Sequence, residues 1–348
     1  MSYTNGLDKP TDYFETKLYT GNGGTNNITG LSFAPDWVWL KERSGSGDHR
    51  LFDTVRGATN DLMSNNNEAE ADSNTSLTSF NSDGFTLGNE GGVNNNSDTF
   101  VSWNWLAGGS ASSNSNGTET STVSANTTAG FSIMTYAGTT ANDTYGHGLS
   151  QKPEMIFIKR RTLTGQWVVY NKTIGATHNL HLDSTDASSA YQYFFNNTEP
   201  TNSVITLSDD GEVNKASSNY VAYVFHSVKG YSKIGSYIGS GSAGTASTFV
   251  YTGFRPAWVM IKNTADTHGW SMTDNKRNGY NENSVFLYAN EANADAAYPM
   301  TSFYSNGFQP IEAGADKGAT NDSGVKYIYM AFAESPFVNS SGIPDCAR

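Results

Sequence analysis

The amino-acid sequence predicts an all-β fold of three tandem β-sandwich modules of the jelly-roll type. The first observation is a short apolar strand that recurs three times behind a proline. The second is a set of landmarks that keep the same order around each copy of that strand. The third is the composition: only 16% of the residues are charged, and Asn, Ser, Thr and Gly take their place, which is typical of short strands joined by polar turns.

The recurring strand begins at a proline, continues through one spacer and four large apolar residues, and ends at a lysine. Its copies are residues 35–41, 153–159 and 256–262. Side chains alternate between the two sides of a strand, and both sets are apolar here, so each copy must be covered on both faces. Proline is tolerated at the first residue of a strand, and the apolar run is too short for a buried helix.

Turn signals stand on both sides of each recurring strand. The preceding turn contains Tyr-x-Gly, whose glycine we expect to take the positive φ angle that ends a strand in a turn. These glycines are Gly21, Gly138 and Gly239. A second apolar run follows the lysine and ends at a residue that we expect to form an Asx turn, in which the side chain accepts a backbone hydrogen bond. These residues are Asp53, Asn171 and Asp274.

A hairpin and a long strand complete each module. Asp83-Gly84 and Asn306-Gly307 lie between apolar residues, which is the strongest short hairpin signal. The second module offers Asp210-Gly211 instead, so its turn is displaced. The closing strands are residues 99–105, 219–225 and 326–332. Three positions on one face of each strand are always large, and we expect that face to point inward.

The landmarks define the domain organisation. The three β-sandwich modules are residues 12–108, 129–229 and 230–337, and each is close to the commonest domain size of about 100 residues. Residues 109–128 are rich in Gly, Ser, Thr and Asn and are predicted to be a linker with room for one added strand at residues 121–124. Residues 338–348 are predicted to be a polar tail.

Charge and hydropathy argue against two classes of partner. The net charge is −12 and the only tight basic cluster is Lys159-Arg160-Arg161, so we expect no nucleic-acid partner. No apolar run of about 18 residues occurs, so we expect no membrane insertion. An export signal is not apparent at the start of the sequence. The single cysteine, Cys346, cannot form a disulfide within the chain.

The sequence contains no spacing typical of a catalytic site, and it predicts no enzyme, no catalytic residues, no cofactor and no metal. His178 and His181, with Asp183 and Asp186 nearby, would share a face only if that segment were helical, and the other modules carry no such pair. One Asx side chain per module cannot supply the roughly six to eight oxygens that calcium takes. His49 aligns with a tryptophan in both other modules, which favours a core or rim position.

Two further features of the sequence bear on sugar binding and sugar cleavage. Cleavage of a glycoside needs paired carboxylates, and no acidic pair occupies a matched position in all three modules. Aromatic side chains can stack on sugars, but those within the periodic strands are expected to be core residues. The loop aromatics that remain as candidates are Tyr145, Tyr280 and Tyr298.

Four stretches of the chain resemble repeat-built virion proteins of tailed bacteriophages, especially marine ones. They are residues 12–23 (DYFETKLYTGNG), 33–39 (FAPDWVW), 123–131 (VSANTTAGF) and 330–337 (MAFAESPF). The resemblance implies a structural, tail-fibre-like protein of the virion, assembled in the host cytoplasm. Its partners would be other virion proteins, host surface polysaccharide and further copies of the chain in a homo-oligomer. The resemblance brings no catalytic or binding residues with it.

Two hypotheses remain for the position of the protein on the particle. We expect a tail fibre or tail appendage whose loops after the Asx turns, residues 56–67, 174–181 and 277–283, contact host glycans, because a rigid scaffold often presents its binding residues on loops. The alternative is a capsid decoration protein, since no dedicated anchoring segment or coiled-coil stem is apparent. A glycan depolymerase is the second alternative.

Overall fold

The computed structural model describes residues 7, 9–243, 246–277, 281, 283–311, 317–335, 337–338 and 344–345. Strand accounts for 45% and helix for 4% of this structure, so the predicted all-β fold class is confirmed. The prediction of three jelly-roll sandwiches is finer than this result and stays a prediction. Most of the predicted polar tail, residues 338–348, including Cys346, lies outside the described residues.

We call residues 14–105 unit 1, residues 112–225 unit 2 and residues 232–333 unit 3. Unit 1 follows a 3₁₀ turn at Pro10–Asp12 and contains β1 (Phe14–Thr20), β2 (Asn26–Ile28), β3 (Trp37–Glu42), β4 (Arg50–Asp53), β5 (Gly57–Leu62), β6 (Ala71–Asp72), β7 (Leu77–Asn81), β8 (Gly84–Leu87), α1 (Gly91–Asn94) and β9 (Thr99–Trp105). Unit 2 contains β10 (Ser112–Asn114), β11 (Ser121–Asn126), β12 (Phe131–Ala137), β13 (Asp143–Gly146), β14 (Met155–Arg160), β15 (Val168–Asn171), β16 (His178–His181), β17 (Ser189–Ala190), β18 (Val204–Leu207), α2 (Gly211–Asn214) and β19 (Asn219–Phe225). Unit 3 contains β20 (Ser232–Ile238), β21 (Val250–Tyr251), β22 (Pro256–Asn263), β23 (Ser271–Asp274), β24 (Asn283–Tyr288), β25 (Ala296–Tyr304), β26 (Gly307–Pro310), a 3₁₀ turn at Lys317–Ala319 and β27 (Lys326–Ala333), and it is followed by β28 (Phe337–Val338) and β29 (Pro344–Asp345).

Each unit has the same strand order at the centre of its large sheet. The strand order is β1-β9-β3-β4-β5-β6 in unit 1, β10-β11-β12-β19-β14-β15-β16-β17 in unit 2 and β20-β27-β22-β23-β24-β25-β26-β21 in unit 3. The predicted proline strands β3, β14 and β22 lie beside the closing strands β9, β19 and β27. Trp37, Met155 and Trp258 are paired with Trp105, Phe225 and Phe332. The three proline strands are therefore equivalent elements, as the repeat predicts.

The two faces of each proline strand lie in different cores. In unit 1 the side chains of Val38 and Leu40 pack between the large sheet and the small β2-β8-β7 sheet, against residues such as Phe85. Trp37 and Trp39, on the other face, belong to a core that all three units share. Both faces are buried, as the sequence predicts, but only one of them contacts the strand's own unit alone.

The shared core contains the inward face of all three closing strands. Its members at the matched positions are Val101, Val221, Ile328, Trp103, Tyr223, Met330, Trp105, Phe225 and Phe332, so the predicted inward face is confirmed. The ring centroids of Trp37 and Tyr223 lie 4.3 Å apart, and those of Trp105 and Phe332 lie 5.6 Å apart. Aromatic contacts at these distances join unit 1 to both other units. The units are therefore not separate domains arranged in series; they surround a common core.

Equivalent hydrogen bonds show that the three units form a closed ring. One ring N–H in each unit donates to a backbone carbonyl of the preceding unit. These bonds join His49 Nε2 to the Tyr288 oxygen (3.0 Å), Trp167 Nε1 to the Met63 oxygen (2.7 Å) and Trp270 Nε1 to the His181 oxygen (2.9 Å). Trp39 Nε1 donates to His49 Nδ1, which fixes the His49 tautomer. The predicted core or rim position of His49 is confirmed. Its imidazole N–H makes the bond that a tryptophan N–H makes in the other two units.

The Asx turns and two hairpins are confirmed. Asp53, Asn171 and Asp274 each accept the backbone N–H two residues on, at 3.0, 2.8 and 2.9 Å. The first and third hairpins turn through two residues, between Asn81 and Gly84 and between Tyr304 and Gly307. In unit 2 the prediction was wrong, because Asp210 does not lie in a hairpin turn. Its carboxylate accepts the Glu212 N–H at 2.8 Å and caps α2, just as Glu90 caps α1.

The reason given for the Tyr-x-Gly glycines is also wrong. The φ angles of Gly21, Gly138 and Gly239 lie outside the left-handed region. A Cβ atom at these positions would instead lie 2.0, 2.3 and 2.2 Å from a backbone carbonyl oxygen. The glycines are needed because the chain of the α1 and α2 turns, and of the corresponding turn in unit 3, passes too close for any side chain. A buried asparagine in that turn accepts the N–H next to each glycine at 3.0 Å.

The predicted linker belongs to the second sheet. Residues 112–114 and 121–126 form β10 and β11, and β11 pairs with β12 from Ser121 opposite Tyr136 to Asn126 opposite Phe131. Its Ser, Thr and Asn content resembles that of a linker because most of these side chains are exposed. Pairing along β12 holds the strand in place. Unit 2 thus extends further toward the N-terminus than the predicted module.

The lysines that end the proline strands are buried and bonded to backbone oxygens. Lys159 Nζ donates to the Asn67 oxygen of unit 1 at 3.0 Å, and Lys262 Nζ donates to the Thr185 oxygen of unit 2 at 3.0 Å. Lys41 Nζ donates to the Glu42 oxygen within unit 1. Burial lowers the pKa of all three lysines to about 8. Two of these ammonium groups therefore join neighbouring units.

We expect the free energy of unfolding to rise between pH 8 and pH 10. Each buried lysine has its folded pKa lowered to about 8 from 10.5, so the unfolded chain binds more protons over this interval and stability increases with pH. Above pH 10 stability should fall. Burial raises the pKa of tyrosines such as Tyr136 and Tyr237 in the folded protein, so these tyrosines lose their protons at a lower pH in the unfolded chain than in the folded one. Urea midpoints across this range test the prediction. A Lys262→Met variant should show a shallower rise, and an equal slope in that variant would contradict it.

Candidate functional site

The interface between units 1 and 2 contains a buried network of charged side chains. The Arg56 guanidinium bonds to Asp53 at 2.5 Å and to Glu70 at 2.8 Å, and both the Asp53 and the Arg56 side chains are fully buried. The Tyr223 hydroxyl of unit 2 donates to Asp53 at 2.7 Å, and Arg161 of unit 2 bonds to Glu70 at 2.7 Å. Burial alone would lower the pKa of Arg56, but the charges of Asp53 and Glu70 raise it.

The interface between units 3 and 1 repeats this network. The Arg277 guanidinium bonds to Asp274 at 2.6 Å and to Asp295 at 2.9 Å, and Arg43 of unit 1 bonds to Asp295 at 2.7 Å. Trp103 Nε1 donates to Asp274 at 3.1 Å, and the Arg277 guanidinium lies 5.5 Å from the centroid of the Trp103 ring. Two of the three interfaces thus have the same Asp, Arg, acid and Arg arrangement.

The interface between units 2 and 3 lacks the four charged residues of this network. Backbone bonds identify the equivalent positions, because the Ser188 N–H donates to the Thr264 oxygen at 3.0 Å, as Glu70 does to Arg161 and Asp295 does to Arg43. Ser188 and Thr264 therefore replace an acid and an arginine. Asn171 and Ile174 take the places of the Asp and Arg that form the buried ion pair in the other units. Unit 2 therefore keeps the Asx turn at Asn171 but lacks the buried ion pair of the other two units.

A pocket of about 320 Å³ lies at this third interface. It is lined by Thr173, Ile174, His178, Ser188, Thr264 and Lys326. At the other two interfaces, arginine side chains stand at the positions of Ile174 and Thr264. The Ser188 hydroxyl is buried and has no hydrogen-bond partner among the described residues.

A second pocket, of about 410 Å³, lies on the other side of His178. Its lining residues are Thr177, His178, Ala190, Tyr191, Gln192, Tyr193 and Asn197. The Tyr193 side chain is 54% exposed and its ring lies 5.4 Å from that of Tyr191. The Tyr191 hydroxyl donates to Asp210 at 2.7 Å, a bond that, with burial, raises the pKa of Tyr191 to about 12. One tyrosine is thus fixed in place beside an exposed one.

A third pocket, of about 290 Å³, lies beside Arg161 on unit 2. Its lining residues are Thr120, Thr122, Thr135, Tyr136, Ala137, Arg161 and Asn219. The guanidinium of Arg161 already forms two hydrogen bonds to Glu70, at 2.7 and 2.9 Å. Its charge is therefore neutralised within the protein, and the pocket offers no free cation from this residue.

The residues considered for a metal site are not brought together. His178 and His181 lie three positions apart on strand β16, so their side chains leave opposite faces of the sheet. Asp183 accepts the Trp167 N–H at 3.0 Å, and burial raises the pKa of Asp183 to about 6. Among the residues that the structure describes, no group of three or more His, Cys, Asp or Glu side chains could hold a metal ion.

The structure revises the candidate sugar-binding residues. Tyr145 is fully buried in the core of unit 2, so it is not the surface aromatic that its predicted loop position suggested. Tyr298 is 47% exposed, on β25, and Tyr280 lies outside the described residues.

The three loops predicted to contact glycans differ from one another. Residues 57–62 of the first form strand β5, and Arg56 is buried at an interface, as is Arg277 at the start of the third. Among the described residues of these loops, only Ile174, Thr177 and His178 line the pockets. The sequence reasoning missed Tyr191 and Tyr193, although the run of aromatic residues from 191 to 195 in a polar segment was a visible signal.

Fold and site together define a class: an all-β protein of three repeated units, closed around one core, with polar pockets on unit 2 and at its interface with unit 3. The chain belongs to the family described as Domain of unknown function (DUF7483), whose model matches residues 9–336. The match extends over all three units. A search of curated proteins gave no match. No helix in the described part of the chain is long and apolar enough to cross a membrane.

Proposed function

We propose that the protein is a structural component of a bacteriophage virion, a tail fibre or tail appendage that contacts glycans on the host surface. The resemblance of four sequence stretches to virion proteins supports the particle context. The observation that carries the glycan contact is the pair of pockets that share His178, one of which exposes Tyr193 beside Gln192 and Asn197. An aromatic face with amide and hydroxyl groups around it matches the apolar and polar faces of a sugar ring.

The rest of the molecule favours binding without large rearrangement. The pockets lie on a ring that is closed by a shared core and, at two of its interfaces, by buried ion pairs. A preformed site loses little conformational freedom on binding, which increases affinity. Such rigidity suits a protein that attaches a particle to a surface.

The carboxylates near the second pocket are engaged, which favours binding over cleavage. Asp210 accepts the Tyr191 hydroxyl, and Glu199 accepts the Tyr170 hydroxyl and pairs with Lys152 at 3.2 Å. Hydrolysis of a glycoside usually needs two carboxyl groups that face the substrate. We therefore keep the depolymerase as the alternative that the experiment must exclude, together with the capsid decoration protein.

We expect a Tyr193→Ala variant to bind host surface polysaccharide at least about tenfold more weakly than the unchanged protein, since stacking on an aromatic ring is lost together with the buried area. Surface plasmon resonance on immobilised polysaccharide measures the effect. Tyr298→Ala is the matched control, because Tyr298 has a similar exposure and does not line either pocket. Equal binding by all three proteins would contradict the glycan site.

The same preparation distinguishes the alternatives. Shortened polysaccharide chains after incubation would indicate a depolymerase. Immunogold electron microscopy of the particles locates the protein: labelling at the tail in few copies is expected, and labelling spread over the capsid would favour the decoration protein.

A further inference from the structure

We propose that the pocket between units 2 and 3 binds an acidic sugar residue, a pyranose that carries a carboxylate. This inference rests on the proposed function and adds the chemical class of one bound residue. It places one acidic unit of a polysaccharide in the 320 Å³ pocket and the neighbouring unit against Tyr193, with His178 between them. The volume lies near the lower limit of about 300–1,000 Å³ for small-molecule sites, which is suitable for a single ring.

The pocket exists because this interface departs from the repeat. Arg56 and Arg161 meet through Glu70 at the first interface, and Arg277 and Arg43 meet through Asp295 at the other. Ile174, Ser188 and Thr264 stand at those positions here, and their side chains are shorter. A space opens where the other interfaces hold ion pairs, so it is a specific feature of this interface.

The lining groups match a sugar ring. Thr173 and Ser188 supply hydroxyl groups that can donate to or accept from sugar hydroxyls, and Ile174 supplies an apolar surface for a C–H face. The Thr264 hydroxyl donates to the Lys326 carbonyl at 2.8 Å, so it can accept from a sugar hydroxyl. The Ser188 hydroxyl is buried and has no partner within the described residues. An unsatisfied buried hydroxyl is unfavourable, and a ligand hydroxyl would satisfy it.

Lys326 is the reason that we expect the ligand to carry a negative charge. This lysine is exposed at the pocket and forms no ion pair within the part of the chain that the structure describes. Its equivalents are Thr99 and Asn219, because the carbonyl oxygens of Thr99, Asn219 and Lys326 accept equivalent backbone bonds within their own units, from Arg43, Arg161 and Thr264. At this position, therefore, only unit 3 carries a cation, and it lies beside the pocket. In a chain of net charge −12, such a cation is the group that attracts a carboxylate.

The experiment compares free glucuronate with glucose by saturation-transfer NMR on the full chain. We expect the unchanged protein to bind glucuronate about two- to fivefold more tightly than glucose, the effect of one solvent-exposed charge pair. Lys326→Met should abolish that difference while glucose binding remains, and added salt should reduce the difference in the unchanged protein. Equal affinity for the two sugars in the unchanged protein would overturn the proposal.

A second variant tests the location. The combination Asn171→Asp, Ile174→Arg, Ser188→Glu and Thr264→Arg copies the network of the other two interfaces into the pocket. We expect it to lose glucuronate binding while its urea midpoint stays at or above that of the unchanged protein, which shows that the fold is kept. Glucuronate binding by this variant would place the site elsewhere and overturn the proposal.

The outcomes separate the two proposals. If glucuronate binds in a Lys326-dependent way but no host polysaccharide does, the pocket assignment stands and the proposed function fails. If Tyr193→Ala abolishes polysaccharide binding while glucuronate and glucose bind equally, the proposed function stands and the acidic-sugar assignment fails.

Discussion

An Arg56→Met variant is expected to lose about 3–5 kcal/mol of its free energy of unfolding, because the substitution leaves the Asp53 carboxylate buried without its cation. Asp53 is fully buried, and two of its remaining partners are backbone N–H groups of its own turn. The Tyr223 hydroxyl would still donate to it, but a neutral donor does not compensate a buried charge. Urea unfolding followed by tryptophan fluorescence measures the loss.

The chain provides its own control for this prediction. Unit 2 has Asn171 and Ile174 at the positions of Asp53 and Arg56, and it keeps the Asx turn. The double variant Asp53→Asn with Arg56→Ile copies that solution and removes both charges together. Replacing a buried ion pair by uncharged residues is often nearly neutral, so we expect the double variant to be clearly more stable than Arg56→Met. A double variant as unstable as the single one would show that the charge is not the cause.

A fragment of residues 109–229, which contains unit 2, is expected not to fold alone. One face of its large sheet consists of residues of the shared core that contact the other units, including Phe131, Phe157, Trp167, Tyr223 and Phe225. Exposing such a large apolar surface removes the main contribution to stability. The amide signals of the fragment should show little dispersion in its NMR spectrum. The full chain should unfold in one transition by fluorescence and by circular dichroism.

The fragment experiment also distinguishes the ring from the tandem arrangement. A sandwich that is complete within one module would give dispersed amide signals and a cooperative transition without its neighbours. Mixing fragments of all three units and recovering the dispersed spectrum would support the ring further. Three separate transitions in the full chain would contradict it.

Much of the fold could be predicted because its signals are local. The period of two in the proline strands, the Asx residues and the Asp-Gly and Asn-Gly turns depend on neighbours in the sequence. The alignment of His49 with Trp167 and Trp270 also gave the correct position, since the three rings donate equivalent bonds. The glycines of Tyr-x-Gly were recognised but misinterpreted, because the backbone that excludes a side chain there comes from residues such as Asn95, far along the chain.

The candidate site could be predicted only in part. The loop of residues 174–181 was among the expected glycan contacts and does border both pockets. The residues that complete the interface pocket come from another unit, as Thr264 and Lys326 do. No pattern within one module indicates them, because the pocket arises from the difference between this interface and the other two.

The sequence by itself determined that the chain is all-β, that it repeats three times, and that both faces of each proline strand are buried. Only the tertiary structure decided what covers those faces. Periodicity shows that a surface must be removed from water, but any apolar surface of matching shape can cover it, and the choice depends on contacts between distant residues. Arg56 and Tyr223 lie 167 residues apart and bond across the first interface. The ring, the two ion networks and the pocket at the third interface all follow from contacts of this range.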